Sequence, residues 1–212
     1  MEAHTIKVYS QKSEVPLKII HGHFVTSHSH VNYYIDMTTL KARQNEAEEM
    51  ARSLARQYLT SVPVDTIICF DGTQVIGAFL AEQLSRAGNL SYNAHKTIYV
   101  VTPEIHSTGQ MVFRDNIQPM IRGKHVLILM ASVTTGITVR KSMECVQYYG
   151  GMVSGVSAIF SAADEVEGMP VNHVFGRADL PDYETYAPHD CPFCRDGQRI
   201  DALVNSYGYS RL

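Results

Sequence analysis

Short apolar runs alternate along this chain with stretches in which apolar residues recur every three to four positions. The first half opens with possible strands at Ile6–Tyr9, Leu17–Thr26 and Tyr33–Ile35, the last ended by Asp36. From Asn45 to Thr60 the spacing becomes helical, with Ala47, Met50, Ala51, Leu54, Ala55 and Tyr58 on one face. Ser61-Val62-Pro63 ends that helix. An apolar strand follows at Thr66–Phe70, then a turn at Asp71-Gly72-Thr73, a helix at Gln74–Arg86 stopped by Gly88, and a strand at Thr97–Val101. Val126–Leu129 are four apolar residues in a row, as in a strand covered on both faces. Helical spacing resumes at Ile137–Tyr149, followed by strands at Val153–Phe160 and Val171–Phe175. Repeated βαβ units predict an α/β fold, with a mostly parallel twisted sheet flanked by helices. Two segments break the rhythm. Residues 102–124 carry no helical stripe, and Ser107-Thr108-Gly109 predicts a hairpin or mobile flap beside the site. Residues 179–212, with Pro181, Pro188 and Pro192, predict irregular chain wrapped on the surface.

Composition narrows the class. The chain has 212 residues, enough for one α/β domain with terminal additions. Its net charge of −3 and lack of a basic block argue against a nucleic-acid partner. No apolar run reaches membrane-spanning length, and the polar start Met1–Glu14 does not read as a signal peptide. The four cysteines, two of them isolated, do not form a secreted disulfide framework. A cytoplasmic protein is expected.

Candidate chemistry lies in three places. Thr134, Thr135, Gly136, Ile137 and Thr138 join the buried strand to a helix start, close behind Ser132. A small hydroxylated loop there offers backbone N–H groups and a positive dipole end to an anion, usually phosphate. An ordinary βα turn has the same local pattern. His21, His23, His28 and His30 crowd the second segment, either as a pocket lining or as metal ligands. Cys191 and Cys194 have metal-knuckle spacing, with His189 two residues before. A zinc site needs two further ligands, which His189 and a histidine of the His21–His30 run would supply; a redox pair or a plain turn are the other readings. Cys69 and Cys145 read as core.

With these residues in view, the chain resembles the type I phosphoribosyltransferases, and among them the orotate enzymes. Thr134-Thr135-Gly136-Ile137-Thr138 matches the family's phosphate loop. Gly22-His23-Phe24, Thr26-Ser27 and Asn32-Tyr33-Tyr34-Ile35-Asp36 look like the orotate enzymes' N-terminal segment. Cys191-Pro192-Phe193-Cys194 is similar to a Cys-Pro-x-Cys of a subset of them. The resemblance implies one domain over 1–212, with a core of about 44–176 and a hood from about 1–43 and 177–212. It implies a pyrophosphate loop at Asp71, Gly72 and Thr73. It implies a base pocket near Phe24, Ser27, His28, Tyr33 and Tyr34, with one at most of the two tyrosines pointing inward. A homodimer, a Mg²⁺ cofactor and a phosphosugar or nucleotide ligand are implied as well.

The departures from the family pattern are specific. Met130-Ala131 stand where the family has two carboxylates that hold ribose hydroxyls and, through water, Mg²⁺; neither side chain accepts a hydrogen bond or attracts the ion. From Val101 to Val112 there is no Lys or Arg, so a leaving pyrophosphate would meet His106 at best, with Arg114 the first cation. Thr38 replaces a commonly basic residue, and His28 a Gly. Three functions remain open: an orotate-type phosphoribosyltransferase, a non-catalytic nucleotide or phosphosugar binder on the same fold, or a different enzyme that kept the phosphate loop and lost the metal.

Overall fold

The computed structural model describes residues 5–88, 91–94, 96–106 and 109–212. Two six-stranded sheets organise them. The first is mostly parallel and takes β4 (Thr66–Cys69), β5 (Tyr99–Val101), β8 (His125–Val133), β9 (Met152–Ser161) and β11 (Met169–Gly176), with β10 (Glu165–Val166) antiparallel at one edge. Numbered along the chain, the five parallel strands lie in the spatial order 2-1-3-4-5, from β5 through β4 and β8 to β11. In that order the crossovers leave β4 and β8 in opposite directions. A crevice therefore opens beyond their carboxyl ends, where open α/β sheets bind ligands.

Burial explains why β4 and β8 sit at the centre. Every residue of β4 is buried, and of β8 all but His125 and Ser132. Such strands need helices on both sides, which α2 (Gln44–Ala55), α3 (Gln74–Ser85) and α4 (Ile137–Tyr148) supply. On α2 the expected face is buried through Ala47, Met50, Ala51 and Leu54. The helix nonetheless stops at Ala55, short of Thr60. Asn93, fully buried, donates from Nδ2 to the carbonyls of Tyr58 and Val62 and accepts from the Val64 amide. It thus holds residues 58–64 in a bend and lets the Tyr58 hydroxyl reach Ser157, 2.8 Å away. Propensity could not show that competitor.

The second sheet is assembled from the two ends of the chain. β2 (Ser13–Val25) pairs antiparallel with β1 (Ile6–Ser10) and with β3 (His30–Asp36). A short helix, α1 (Thr38–Ala42), follows β3. The C-terminal segment is more regular than expected: β12 (Thr185–Tyr186) pairs with β3, α5 (Pro192–Arg195) follows, and β13 (Ala202–Asn205) runs parallel to β2 before turning into β14 (Gly208–Arg211). Its prolines hid this because they fall outside these strands, with Pro192 opening α5. Residues 102–124 hold a two-stranded hairpin, β6 (Glu104–Ile105) with β7 (Met111–Val112); Ser107 and Thr108 of its expected turn lie outside the described residues. No helix is long and apolar enough to cross a membrane among the described residues.

Candidate functional site: a cavity at the β4–β8 switch point

A cavity of about 740 Å³ occupies the crevice beyond β4 and β8, lined on one side by Met130–Val139 and on the other by hood residues. The β8–α4 loop forms its floor. Gly136 precedes α4 with φ +74°, and a Cβ there would lie 2.8 Å from Val166 Cγ2, so both backbone and space demand glycine. No side chain caps α4, which leaves its first N–H groups to a ligand. Ser132, Thr135 and Thr138 are exposed, with hydroxyls free to add to an anion's hydrogen bonds. Loop and helix start together make a cradle suited to a phosphate.

Beside this cradle the strand end is apolar. Met130 and Ala131 both border the cavity, 1% and 6% exposed. On the adjoining strand Asp71 has φ +55° and Gly72 φ +80°, so the chain turns sharply just past β4. Burial raises the Asp71 carboxyl above its ordinary value, against the opposing pull of Lys41 and the Ala131 backbone N–H. Thr73, expected with them as a ligand contact, is fully buried instead. Its hydroxyl donates to the Phe70 carbonyl at 2.8 Å and locks the turn.

Lys41 on α1 is a cavity residue that sequence reasoning missed. Its ammonium donates to the Asp71 carbonyl and to the Ser206 carbonyl, each at 2.8 Å, and it borders the cavity. An ammonium has three donors, so one remains for a ligand. Burial lowers its pKa, and Asp71 and Asp36 offset that. The expectation that a substrate's charge meets His106 at best is therefore corrected: the cation in the cavity comes from α1. Only Lys41's place three residues beyond Thr38 could have hinted at it.

The hairpin of β6 and β7 stands elsewhere. Its described residues do not border the cavity. Met111 lies against α4, with Cys145 Sγ 3.7 Å from the Met111 carbonyl. Arg114 is engaged by both oxygens of Glu104 at 2.7 Å.

Hood residues close the other side. Ser27 and His28 border the cavity, as do Tyr33 and Tyr34. Tyr33 alternates with Val31 and Ile35 on one face of β3, yet Tyr34 on the opposite face also reaches the space, because the strand runs along its margin. This corrects the expectation of one tyrosine. Burial pushes the Tyr34 hydroxyl up to about 12, so it is a neutral hydrogen-bonding group. Phe24 lies beneath, 1% exposed, its ring 6.0 Å from that of Tyr34. Residues 204–208, the tip of the β13–β14 hairpin, overhang the mouth, and Tyr207 presents a 97% exposed ring there. Tyr207 was not singled out from sequence, since its segment read as irregular.

The cysteines divide into two pairs of different kind. Cys69 is buried, with burial pushing its thiol up to about 12, and Cys145 is half-buried on α4. Cys191 and Cys194 meet His23 and His30, with one ligand atom of each residue within 4.8 Å of the others. His189 is not part of this group. Its side chain is 81% exposed and lies 3.2 Å from Asp190, which corrects its place in the proposed zinc set. The Pro188–Asp190 turn carries it outward.

Comparison with known proteins agrees with this architecture. No family model matches the chain. The chain is 29% identical over 184 residues to orotate phosphoribosyltransferase of Pelotomaculum thermopropionicum, covering 84% of this chain and 86% of that one. It is 27% identical over 200 residues to orotate phosphoribosyltransferase of Caldanaerobacter subterraneus subsp. tengcongensis, covering 93% and 94%. Among solved structures it is similar to Mycobacterium tuberculosis orotate phosphoribosyltransferase in complex with Fe(III) dicitrate, with a TM-score of 0.52, 21% identity, and coverage of 77% of this chain and 92% of that one. The fold, with its 2-1-3-4-5 parallel order, is that of the type I phosphoribosyltransferases. In sequence the chain is similar to orotate phosphoribosyltransferases over most of its length.

Proposed function

We propose that this protein binds a 5-phosphoribosyl or nucleotide ligand in the β4–β8 cavity, with little or no turnover as an orotate phosphoribosyltransferase. The observation that carries the reading is the contrast at the end of β8. An uncapped helix start with an obligatory glycine lies next to Met130 and Ala131. The 5′-phosphate would rest on Thr134–Thr138 and Ser132. The ribose would cover Met130 and Ala131, with Asp71 as the carboxylate in reach of its hydroxyls and Lys41 as the cation for further phosphate. Tyr33, Tyr34, His28 and Tyr207 surround the space left for a base. One carboxylate is a weak anchor for Mg²⁺, which favours several oxygen ligands in octahedral array, so ligand binding should depend weakly on it.

Asp71 and Lys41 also support a second reading, in which the protein transfers 5-phosphoribosyl from phosphoribosyl pyrophosphate to a pyrimidine-like base. The chain's similarity to orotate phosphoribosyltransferases favours this one. Assay of the purified chain with orotate, phosphoribosyl pyrophosphate and Mg²⁺ separates the two. Turnover on the order of 10 per second, ordinary for metabolic enzymes, establishes the transferase. Turnover a thousandfold lower, with phosphosugar binding intact, establishes the binder. Both readings treat 1–212 as one cytoplasmic domain with core and hood, forming homodimers, a state that sedimentation equilibrium tests.

A further inference from the structure

The His23, His30, Cys191 and Cys194 cluster lies behind the hood wall and takes no part in the phosphate cavity. His23 is on β2, His30 on β3, and the two cysteines bracket the start of α5. Pro192 at the first helical position fixes that turn, so both sulfurs face the same side. Tetrahedral zinc bonds of about 2.3 Å to sulfur and about 2.0–2.1 Å to nitrogen require edges of about 3.5 Å between N and S and about 3.3 Å between two N atoms. The observed spacings are 3.5 Å from His23 Nε2 to Cys191 Sγ, 3.7 Å from His23 Nε2 to Cys194 Sγ, and 3.5 Å from His30 Nδ1 to Cys194 Sγ. The two nitrogens are 2.9 Å apart and would separate by a few tenths of an ångström.

Support around the cluster matches as well. His23 Nδ1 lies 3.2 Å from the Gln198 carbonyl, which can only accept, so Nδ1 carries the proton and Nε2 offers its lone pair inward. The His23 amide is held by Asp201 at 2.8 Å. The Phe193 ring covers His23 at 5.3 Å between centroids. His23, His30 and Cys191 are buried, while Cys194 is exposed and leaves a route for an ion.

We propose that His23 Nε2, His30 Nδ1, Cys191 Sγ and Cys194 Sγ bind one Zn²⁺ that clips the C-terminal segment onto β2 and β3. Two thiolates and two imidazoles select zinc over Mg²⁺. Four protein ligands close the tetrahedron and leave no open position for substrate, so the ion is structural. Its position gives it a specific task. Thr26–Ser29, one wall of the cavity, lies between His23 and His30 in sequence. The hairpin tip at 204–208, the overhanging wall, follows α5 through the β13–β2 pairing. The ion therefore sets the spacing of two cavity walls while touching neither.

The test uses the full chain, freed of metal by chelation under reducing conditions and then titrated with Zn²⁺ or Co²⁺ alone. The expected result is one zinc per chain by mass spectrometry. Bound Co²⁺ should show the intense visible bands of a tetrahedral site with thiolate charge transfer. Zinc should raise Tm by on the order of 10 °C. Cys194→Ser, at the exposed ligand and so the mildest for folding, should weaken zinc binding by at least about a hundredfold. His189→Ala should bind like the wild type. Failure of reduced wild-type protein to take up zinc, an octahedral cobalt spectrum, or full zinc binding by Cys194→Ser overturns the proposal. Phosphate binding to Thr134–Thr138 is measured separately, so failure of either assignment is distinguishable from failure of the other.

Discussion

The two halves of the cavity are built by different means. The half we propose for phosphate, Thr134–Thr138, is built mainly of backbone, a left-handed glycine and an uncapped helix start, with the hydroxyls of Thr135 and Thr138 exposed beside it. The half we propose for ribose is made of side chains: Met130 and Ala131 of β8, Asp71 of the turn after β4, and Lys41 of α1. A backbone site is specified by one loop conformation and tolerates most neighbours. A side-chain site changes its chemistry with each residue, and here Met130 and Ala131 offer no carboxylate while Asp71 and Lys41 bring a carboxylate and a cation from elsewhere in the fold. Substitutions can act on one half at a time.

The largest expected effect is in the phosphate half. Gly136→Val forces a β-branched residue to φ +74° and drives its side chain into Val166. Binding of ribose 5-phosphate should fall at least about a hundredfold, or about 2.7 kcal/mol, by calorimetry. Circular dichroism checks that the fold is kept; unchanged affinity would place the phosphate elsewhere. Lys41→Met comes next. It removes the cation and both carbonyl contacts, so phosphoribosyl pyrophosphate should bind about tenfold to thirtyfold more weakly. Amide exchange at residues 205–208 should quicken, because Ser206 loses its donor.

A smaller change should follow from converting the ribose half. Met130→Asp with Ala131→Asp should give a gain of about tenfold in phosphoribosyl pyrophosphate affinity on adding Mg²⁺. Both positions are buried, so Tm should drop. The smallest effect belongs to Asp71. Its raised carboxyl pKa means that the folded chain keeps a proton the unfolded chain has lost. Stability from this group is thus fully present below the ordinary carboxylate value and is lost as pH rises through the raised value. Asp71→Asn should flatten that dependence in pH-resolved thermal melts. At pH 7.5 it should bind inorganic phosphate about threefold more tightly by removing a like charge, with the gain shrinking as pH falls.

The same contrast decides what could be read from sequence. β4, β8 and α4 announced themselves because burial on both faces leaves apolar runs, and the Thr134–Thr138 loop between β8 and α4 because its small residues are contiguous. Lys41 and Tyr207 were hidden because long-range pairing brings them to the cavity, and the proposed zinc set was legible only in part, as two cysteines and one unspecified histidine of the His21–His30 run. Cys191 and Cys194 stood out by spacing, but only the β2–β3 hairpin and the β13–β2 pairing decide which histidines they meet. His189, adjacent in sequence, turns away for want of such a contact. The C-terminal strands were missed for the same reason, since pairing rather than composition makes them regular.

Calorimetric titration of the wild-type protein with phosphoribosyl pyrophosphate, once in Mg²⁺ and once in chelator, tests the central claim most directly. The account predicts that the phosphate half provides most of the affinity, so the two dissociation constants should agree within about threefold. Strengthening of thirtyfold or more by Mg²⁺ would contradict it, by showing that the ribose half holds the metal without the paired carboxylates.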